Sequence, residues 1–183
     1  MALTQNDRFL FIGNGYGDLV QFDLVGHKVF KSYGRVFEGC FGSMAITNND
    51  KYLLIGDKDG GHLLQFDIQS QSLAINHGKV LKTGIGAISL TNDNKYLYLG
   101  YYTGDLIKYD LIEQEEVENF GSRVLQYNFT TMALSNDNQN MFVGGREGGR
   151  IDTLTQFDVK AQRVVKKYGE VLDTTISAMI CSY

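Results

Sequence analysis

The sequence predicts an all-β protein made of four-stranded antiparallel sheets, four in the chain with one extra strand at its end, and three repeated markers predict it. The first is a turn and strand stated four times: TQNDRFLFIG at 4–13, TNNDKYLLIG at 47–56, TNDNKYLYLG at 91–100 and SNDNQNMFVG at 135–144. Its opening hydroxyls, Thr4, Thr47, Thr91 and Ser135, are spaced 43, 44 and 44, and its closing glycines, Gly13, Gly56, Gly100 and Gly144, keep the same spacing. The second marker is an aromatic followed by Asp: Phe22-Asp23, Phe66-Asp67, Tyr109-Asp110 and Phe157-Asp158. The third is an aromatic or His before Gly: Tyr33-Gly34, His77-Gly78, Phe120-Gly121 and Tyr168-Gly169. Three markers in one order at one period are the signature of a repeat architecture.

The elements of one period follow in order, with the third copy as the example. Residues 88–91 are short, apolar and β-branched, a first strand. Thr91-Asn92-Asp93-Asn94 is a turn whose side chains bond their own backbone. Tyr96-Leu97-Tyr98-Leu99 is a continuous apolar run, expected of a second strand buried on both faces. Residues 106–111 form a third strand after the turn at Gly104-Asp105, and residues 116–120 a polar outer one. Four strands in about 44 residues with no helical period make one blade per repeat. A blade cannot bury both faces alone, so blades stack, which predicts a β-propeller or part of one. The repeats run approximately 1–43, 44–87, 88–131 and 132–178, a single propeller domain or partial propeller over 1–183. The chain opens inside a first strand at 1–3 and closes inside a fifth at 176–182, because Ile176-Ser177-Ala178-Met179 repeats Ile85-Gly86-Ala87-Ile88.

Composition bounds the function. At 183 residues with 43% hydrophobic and 21% charged residues, the chain can bury a sizeable core and is not a disordered polymer. A net charge of −4 gives no general attraction to nucleic acid or anionic lipid, so neither is expected as a partner. The apolar runs are too short to span a bilayer, and MALTQNDRF has no signal-peptide core. Cys40 and Cys181 have no metal-type spacing, which points to a reducing compartment and a cytoplasmic location.

With these markers placed, the chain resembles the Trp-Asp (WD) repeat β-propellers across essentially its whole length. The Phe/Tyr-Asp pairs stand where that family ends its third strand with Trp-Asp, and Gly17, Gly61 and Gly104 match its Asp-Gly turn. The preceding Asp is replaced by Tyr16, Gly60 and Thr103, so the family's hydrogen-bond network is not reconstructed. The resemblance implies a non-catalytic scaffold for protein–protein contacts, with the TNDN turns on one face. The loops between second and third strands, and those between blades, gather on the opposite, top face. WD-type rings usually hold six to eight blades, roughly 300 residues at this period. Three arrangements answer the shortfall: a segment of a longer propeller, a homodimer completing an eight-bladed ring, or a compact four-bladed unit or open arc.

The copies stop agreeing after each closing glycine. From that glycine to the next aromatic marker are 9, 10, 9 and 13 residues, the behaviour of binding loops on a rigid scaffold. The candidate contact residues for a protein or peptide partner are Tyr16, Lys58, Asp59, His62, Tyr101, Tyr102, Arg146, Glu147 and Arg150. Tyrosines supply contact area at low entropy cost, and the charged groups supply charge-assisted bonds. The loops between blades add Arg35, Lys79 and Arg123, with Glu170 in the fourth copy, which suits an acidic peptide or phosphate if they are more than solubilising charges. Asp57-Lys58-Asp59-Gly60-Gly61 resembles a calcium loop but has Ile68 where the bidentate Glu belongs. His27, His62 and His77 have no ligand spacing, and no nucleophile–base pair is present, so no cofactor, metal or enzymatic activity is expected. Asp23, Asp67, Asp110 and Asp158 recur in every copy, which suits a turn role. The alternative reading is a small-molecule-binding or lactonase-like hydrolytic propeller with polar side chains converging on an axial channel.

Overall fold

A computed structural model describes residues 1–117, 123–126, 128–146, 152–171 and 176. The described residues form strands and no helix. The first sheet contains β1 (Ala2–Leu3), β2 (Phe9–Gly13), β3 (Asp18–Asp23) and β4 (Lys28–Arg35); the second contains β5 (Phe41–Ile46), β6 (Tyr52–Asp57), β7 (His62–Asp67) and β8 (Ser72–Lys79). The third contains β9 (Ile85–Leu90), β10 (Tyr96–Tyr101), β11 (Leu106–Asp110) and β12 (Glu115–Val117), and the fourth β13 (Phe129–Leu134), β14 (Asn140–Arg146), β15 (Asp152–Asp158) and β16 (Arg163–Glu170). Each sheet is an antiparallel meander of consecutive strands. They fall into two compact units, Met1–Ile85 and Gly86–Tyr183, so the boundary lies at the first residue of β9.

The TNDN turn is a hydrogen-bonded unit built four times. The hydroxyl of Thr4 donates to Asn6 Oδ1 at 2.8 Å and accepts from the Phe9 amide at 3.0 Å. Thr47 does the same with Asn49 and Tyr52, Thr91 with Asp93 and Tyr96, and Ser135 with Asp137 and Asn140. The next position, Asp7, Asp50, Asn94 and Asn138, turns through the left-handed region at φ 54, 54, 58 and 57°, where Asn and Asp are tolerated. The turns also tie neighbouring sheets within each unit: the Gln5 amide donates to Asp50 at 2.9 Å, and the Asn92 amide to Asn138 Oδ1 at 3.2 Å.

The aspartates of the second marker end the third strand and close the following turn. Asp23 accepts from the Val25 and Gly26 amides, Asp67 from Ser70, Asp110 from Ile112 and Glu113, and Asp158 from Ala161. These bonds depress Asp23, Asp67 and Asp110. The Gly26 amide holds Asp23 below its ordinary 3.8, and the Ser70 amide does so for Asp67. The Thr91 and Ser135 hydroxyls lower Asp93 and Asp137. Burial pushes Asp110 upward, but the Glu113 and Ile112 amides and the Lys95 and Lys108 charges carry it below 3.8. An acid depressed by folding stabilises above its unfolded pKa and loses that contribution as pH falls through the folded value. Burial lowers His77 from 6.5, so protonation of the unfolded chain weakens folding once pH drops below 6.5. Urea midpoints measured against pH are expected to be flat from 7 to 8, to decline slightly below about 6.5, and to fall steeply below about 4. A midpoint that rises below pH 4 would contradict the acid placement.

The third marker completes a cross-strand pair. Tyr33 donates to Gln21 Oε1 at 2.8 Å, Tyr168 to Gln156 Oε1 at 2.9 Å, and His77 Nε2 stands 3.4 Å from Gln65 Oε1. In each of these sheets the outer strand carries two register shifts against the third strand, and Gly34, Gly78 and Gly169 take φ 65, 73 and 75°. These bulges kink the long outer strand and set which side chains face inward.

The core lies between sheets. Phe11 and Leu19 of the first sheet pack with Leu53, Ile55, Leu64 and Phe66 of the second. Tyr98 and Leu106 of the third pack with Met141, Val143 and Phe157 of the fourth. The closing glycines make room for the next sheet: a Cβ on Gly13 would stand 2.6 Å from Phe41 Cδ1, and one on Gly100 2.5 Å from Phe129 Cδ1. Ile176 occupies the corresponding place, 3.2 Å from where a Gly144 Cβ would lie. It is the described residue of the predicted fifth strand; the remainder of 176–182 lies outside the described residues.

Strand limits in the third copy differ from the sequence reading, the second strand running to Tyr101 and the third ending at Asp110. β9 starts at Ile85 rather than at residue 88, with Thr91 already in the turn. Gly86 is strand here because its missing side chain admits the Phe129 carbonyl, an approach that propensity does not register. The third outer strand is Glu115–Val117, with 118–120 outside the described residues.

Candidate functional site

At the end opposite the TNDN turn in the first three sheets, the loop between second and third strands meets the chain leaving the fourth. The carbonyl of Gly17 accepts from the Val36 amide at 2.9 Å, that of Gly61 from Val80 and Leu81 at 3.1 Å each, and that of Gly104 from Leu125 at 3.1 Å. These glycines have φ 84, 74 and 84°, a conformation that glycine adopts without strain. The two loop sets named from the sequence therefore do lie together in each of these three sheets, and each hairpin loop is fixed to a strand exit.

The local chemistry of the loops differs. In the first, Asn14 Oδ1 accepts from the Tyr16 and Asp18 amides at 2.9 and 3.0 Å, and Arg35 Nε donates to the Tyr16 carbonyl at 2.8 Å. Tyr16 is left 74% exposed on a turn held from both sides. In the second, Asp57 takes the role of Asn14: it accepts from the Asp59 and Gly60 amides at 3.1 and 2.9 Å and stands 3.2 Å from His62 Nδ1. Both carboxylate oxygens are engaged by the turn itself, which accounts for the calcium-like spacing. Lys58 and Asp59 are exposed at its tip. In the third, Tyr101 stands at that position; its backbone bonds Asp105 O and the Gly104 amide, but its side chain has no amide or carboxylate oxygen to offer the turn. Asp105 ties this turn to the strand exit, accepting from Thr103 Oγ1 at 2.9 Å and from the Arg123 amide at 3.1 Å.

The other predicted contact residues are distributed as follows. His62 opens β7 opposite Lys79, which ends β8, and both are exposed. Tyr101 and Tyr102 are partly buried, and burial pushes the Tyr101 phenol well above its ordinary value, so it stays protonated. Arg123 and Arg146 are exposed, and the Arg146 amide is bonded to the Asn128 carbonyl at 3.0 Å. Glu147 and Arg150 lie outside the described residues. The long fourth spacing is taken up partly by strand: Gly145 pairs with Thr153 and Arg146 with Asp152. The first unit thus brings Tyr16 to Arg35 and His62 to Lys79, and the second brings Arg123 to Asp105. Sequence reasoning missed Asn14 and Asp105 as residues that build these loops, and singled out Asp57 only within its calcium-like turn. Their signal was a short Asn or Asp just after the closing glycine or just before the third strand. Among the described residues, no group of three or more His, Cys, Asp or Glu is placed to hold a metal ion.

No protein-family model matches the chain, and no curated protein matches it in sequence. Many solved structures are similar to it, two of which follow. Hydrazine synthase of Kuenenia stuttgartiensis matches at TM-score 0.75 and 17% identity, over 91% of this chain and 47% of that one. A chain of a mitotic checkpoint complex matches at TM-score 0.75 and 11% identity, over 96% of this chain and 50% of that one. The chain spans about half the length of the solved chains it matches. At these identities the likeness is one of fold: the four sheets are blades of a β-propeller.

Proposed function

We propose that this chain is a non-catalytic, WD-repeat-like scaffold that binds a protein or peptide through its top-face loops. What supports the reading above all is the first loop, where Tyr16 is 74% exposed on a turn fixed by Asn14 and Arg35. A large aromatic held in place before contact loses little entropy on binding. The neighbouring second blade adds Lys58, His62 and Lys79 as exposed donors, which favours a partner with acidic or carbonyl-rich segments. The loop acids that could serve chemistry, Asp57 and Asp105, are occupied in forming turns. Membership of a chain in a checkpoint complex lends the reading analogy through fold alone.

Affinity capture from the cell of origin tests it. A Tyr16→Ala/Lys58→Ala variant is expected to lose at least about 90% of the co-purifying partner, as hot-spot truncations do. A control with Gln5→Ala and Asn48→Ala on the TNDN face is expected to retain it. Equal recovery by both variants removes the top loops from the account.

A further inference from the structure

Asn14 is the one asparagine of the sequence that is followed by glycine. Glycine has no side chain to shield its amide nitrogen, so that nitrogen can approach the carbonyl carbon of the preceding side chain. Asn14 and Gly15 are both exposed, so water reaches the pair.

The fold leaves this amide unengaged. Among the described residues the Gly15 N–H has no hydrogen-bond partner. The TNDN turns of the first unit provide the contrast. There Asn6 and Asn49 also accept through Oδ1, from the Arg8 and Lys51 amides at 3.1 Å each, but the amide that follows each of them is occupied. Asp7 N–H donates to the Thr4 carbonyl at 3.0 Å, and Asp50 N–H to the Thr47 carbonyl at 2.8 Å. An amide bonded in this way is protected from solvent base, whereas the Gly15 amide is open to it.

The Asn14 side chain is held in the complementary state. Its Oδ1 accepts from the Tyr16 and Asp18 amides at 2.9 and 3.0 Å, and its Nδ2 donates to Asp18 Oδ2 at 3.0 Å. Two N–H groups thus already point at the oxygen that takes negative charge when Cγ is attacked, the arrangement of an oxyanion hole.

We propose that Asn14–Gly15 is a self-modification site, at which the chain, with water as co-reactant, converts Asn14 into aspartate and isoaspartate. The Gly15 nitrogen gives up its proton to solvent and bonds to Asn14 Cγ. The Cγ–Nδ2 bond then breaks, and Nδ2 takes up a proton and leaves as ammonia. Water opens the resulting succinimide at either of its carbonyls. The net change consumes one water and releases one ammonia, with no oxidation or reduction.

Both products loosen the turn. Aspartate loses the donor to Asp18 and sets two carboxylates against each other. In the second loop the acid at this place, Asp57, faces His62 Nδ1 at 3.2 Å instead. Isoaspartate reroutes the main chain through Cγ. The carbonyl that accepts from the Gly17 and Phe41 amides, at 3.4 and 3.3 Å, then leaves the backbone. The chemistry is independent of the top-loop reading; a consequence for partner binding through Tyr16 rests on it.

Peptide mapping by mass spectrometry, with isoaspartyl methyltransferase labelling, tests the site during incubation of the folded chain in neutral buffer. The acid at position 14 is expected to form at least about tenfold faster than at any other asparagine, a modest share of what oxyanion donors supply. Gly15→Ala is the control, since its Cβ would stand 3.6 Å from Cys40 Sγ, an ordinary contact that leaves the turn in place. Its methyl shields the amide, and the reaction is expected to slow by at least about tenfold. In urea, where the Tyr16 and Asp18 donors are lost, Asn14 is expected to react more slowly than in the folded chain. Amide exchange at Gly17 and Phe41 is expected to quicken in the modified fraction. Asn14 reacting no faster than the other asparagines, or Gly15→Ala reacting as fast as wild type, overturns the site. A faster reaction in urea overturns the assistance by the two amides, and unchanged exchange overturns the loosening of the turn.

Discussion

Replacing Gly61 with Ala is expected to lower stability by about 3 kcal/mol, the sum of a left-handed backbone penalty of about 1–2 and an overpacking penalty of about 1–3. Gly61 has φ +74°, and a Cβ there would stand 2.5 Å from the Leu81 carbonyl oxygen. That carbonyl cannot swing aside freely, because the Leu81 amide on the same residue is bonded to Gly61 O at 3.1 Å. Gly78 provides the control: it has φ +73°, yet nothing lies within 4 Å of a Cβ there. Gly78→Ala is therefore expected to cost about 1–2 kcal/mol, the strain alone. Urea denaturation of both variants separates the contributions. Equal losses would show that the close approach at the strand exit does not hold the loop.

Phe129→Ala is expected to cost about 4 kcal/mol, in the range for a fully buried phenylalanine. The ring is 0% exposed and lies over Gly100 of the preceding sheet within the second unit. Gly100→Ala alone is expected to cost about 2 kcal/mol, because its new methyl would stand 2.5 Å from Phe129 Cδ1. The two changes share one volume, so they are not additive. In the Phe129→Ala background the Gly100 methyl enters the cavity, and a coupling of about 1–3 kcal/mol is expected. Additive losses would mean that the ring and the glycine are not partners across the sheets.

Most of the architecture was legible because its devices are local. A Thr or Ser hydroxyl and an Asn or Asp two residues on are sufficient to close the TNDN turn, and both stand in one short stretch. Asp23, Asp67, Asp110 and Asp158 likewise bond amides two or three residues away. The closing glycines were visible as markers but not as receptacles, since Phe41 lies 28 residues beyond Gly13 and Phe129 lies 29 beyond Gly100. The bulges of the outer strands and the early start of β9 at Ile85 depend on contacts that a propensity reading does not contain.

The candidate site was legible as a place more than as a set of residues. The loops following Gly13, Gly56 and Gly100 do meet the strand exits carrying Arg35 and Lys79 and the turn carrying Arg123. Tyr16 was recognisable because nothing apolar flanks it in its glycine-rich turn. Tyr101 had the same composition signal, yet it ends a strand and is partly buried, so its phenol is drawn into the sheet end rather than offered like that of Tyr16. Asn14 and Asp105 escaped notice, and Asp57 was weighed only within a calcium-like run, because their work is directed at backbone amides and neighbouring side chains.

Site-specific photo-crosslinking tests the central claim, that the top loops carry the function and the repeated turns carry the architecture. A benzophenone side chain introduced at Tyr16 or at Asn48 places the same reactive group on opposite ends of the first unit. The account predicts a discrete protein adduct from position 16 and none from position 48 in the cell of origin. An adduct from position 48 with none from position 16 would contradict it.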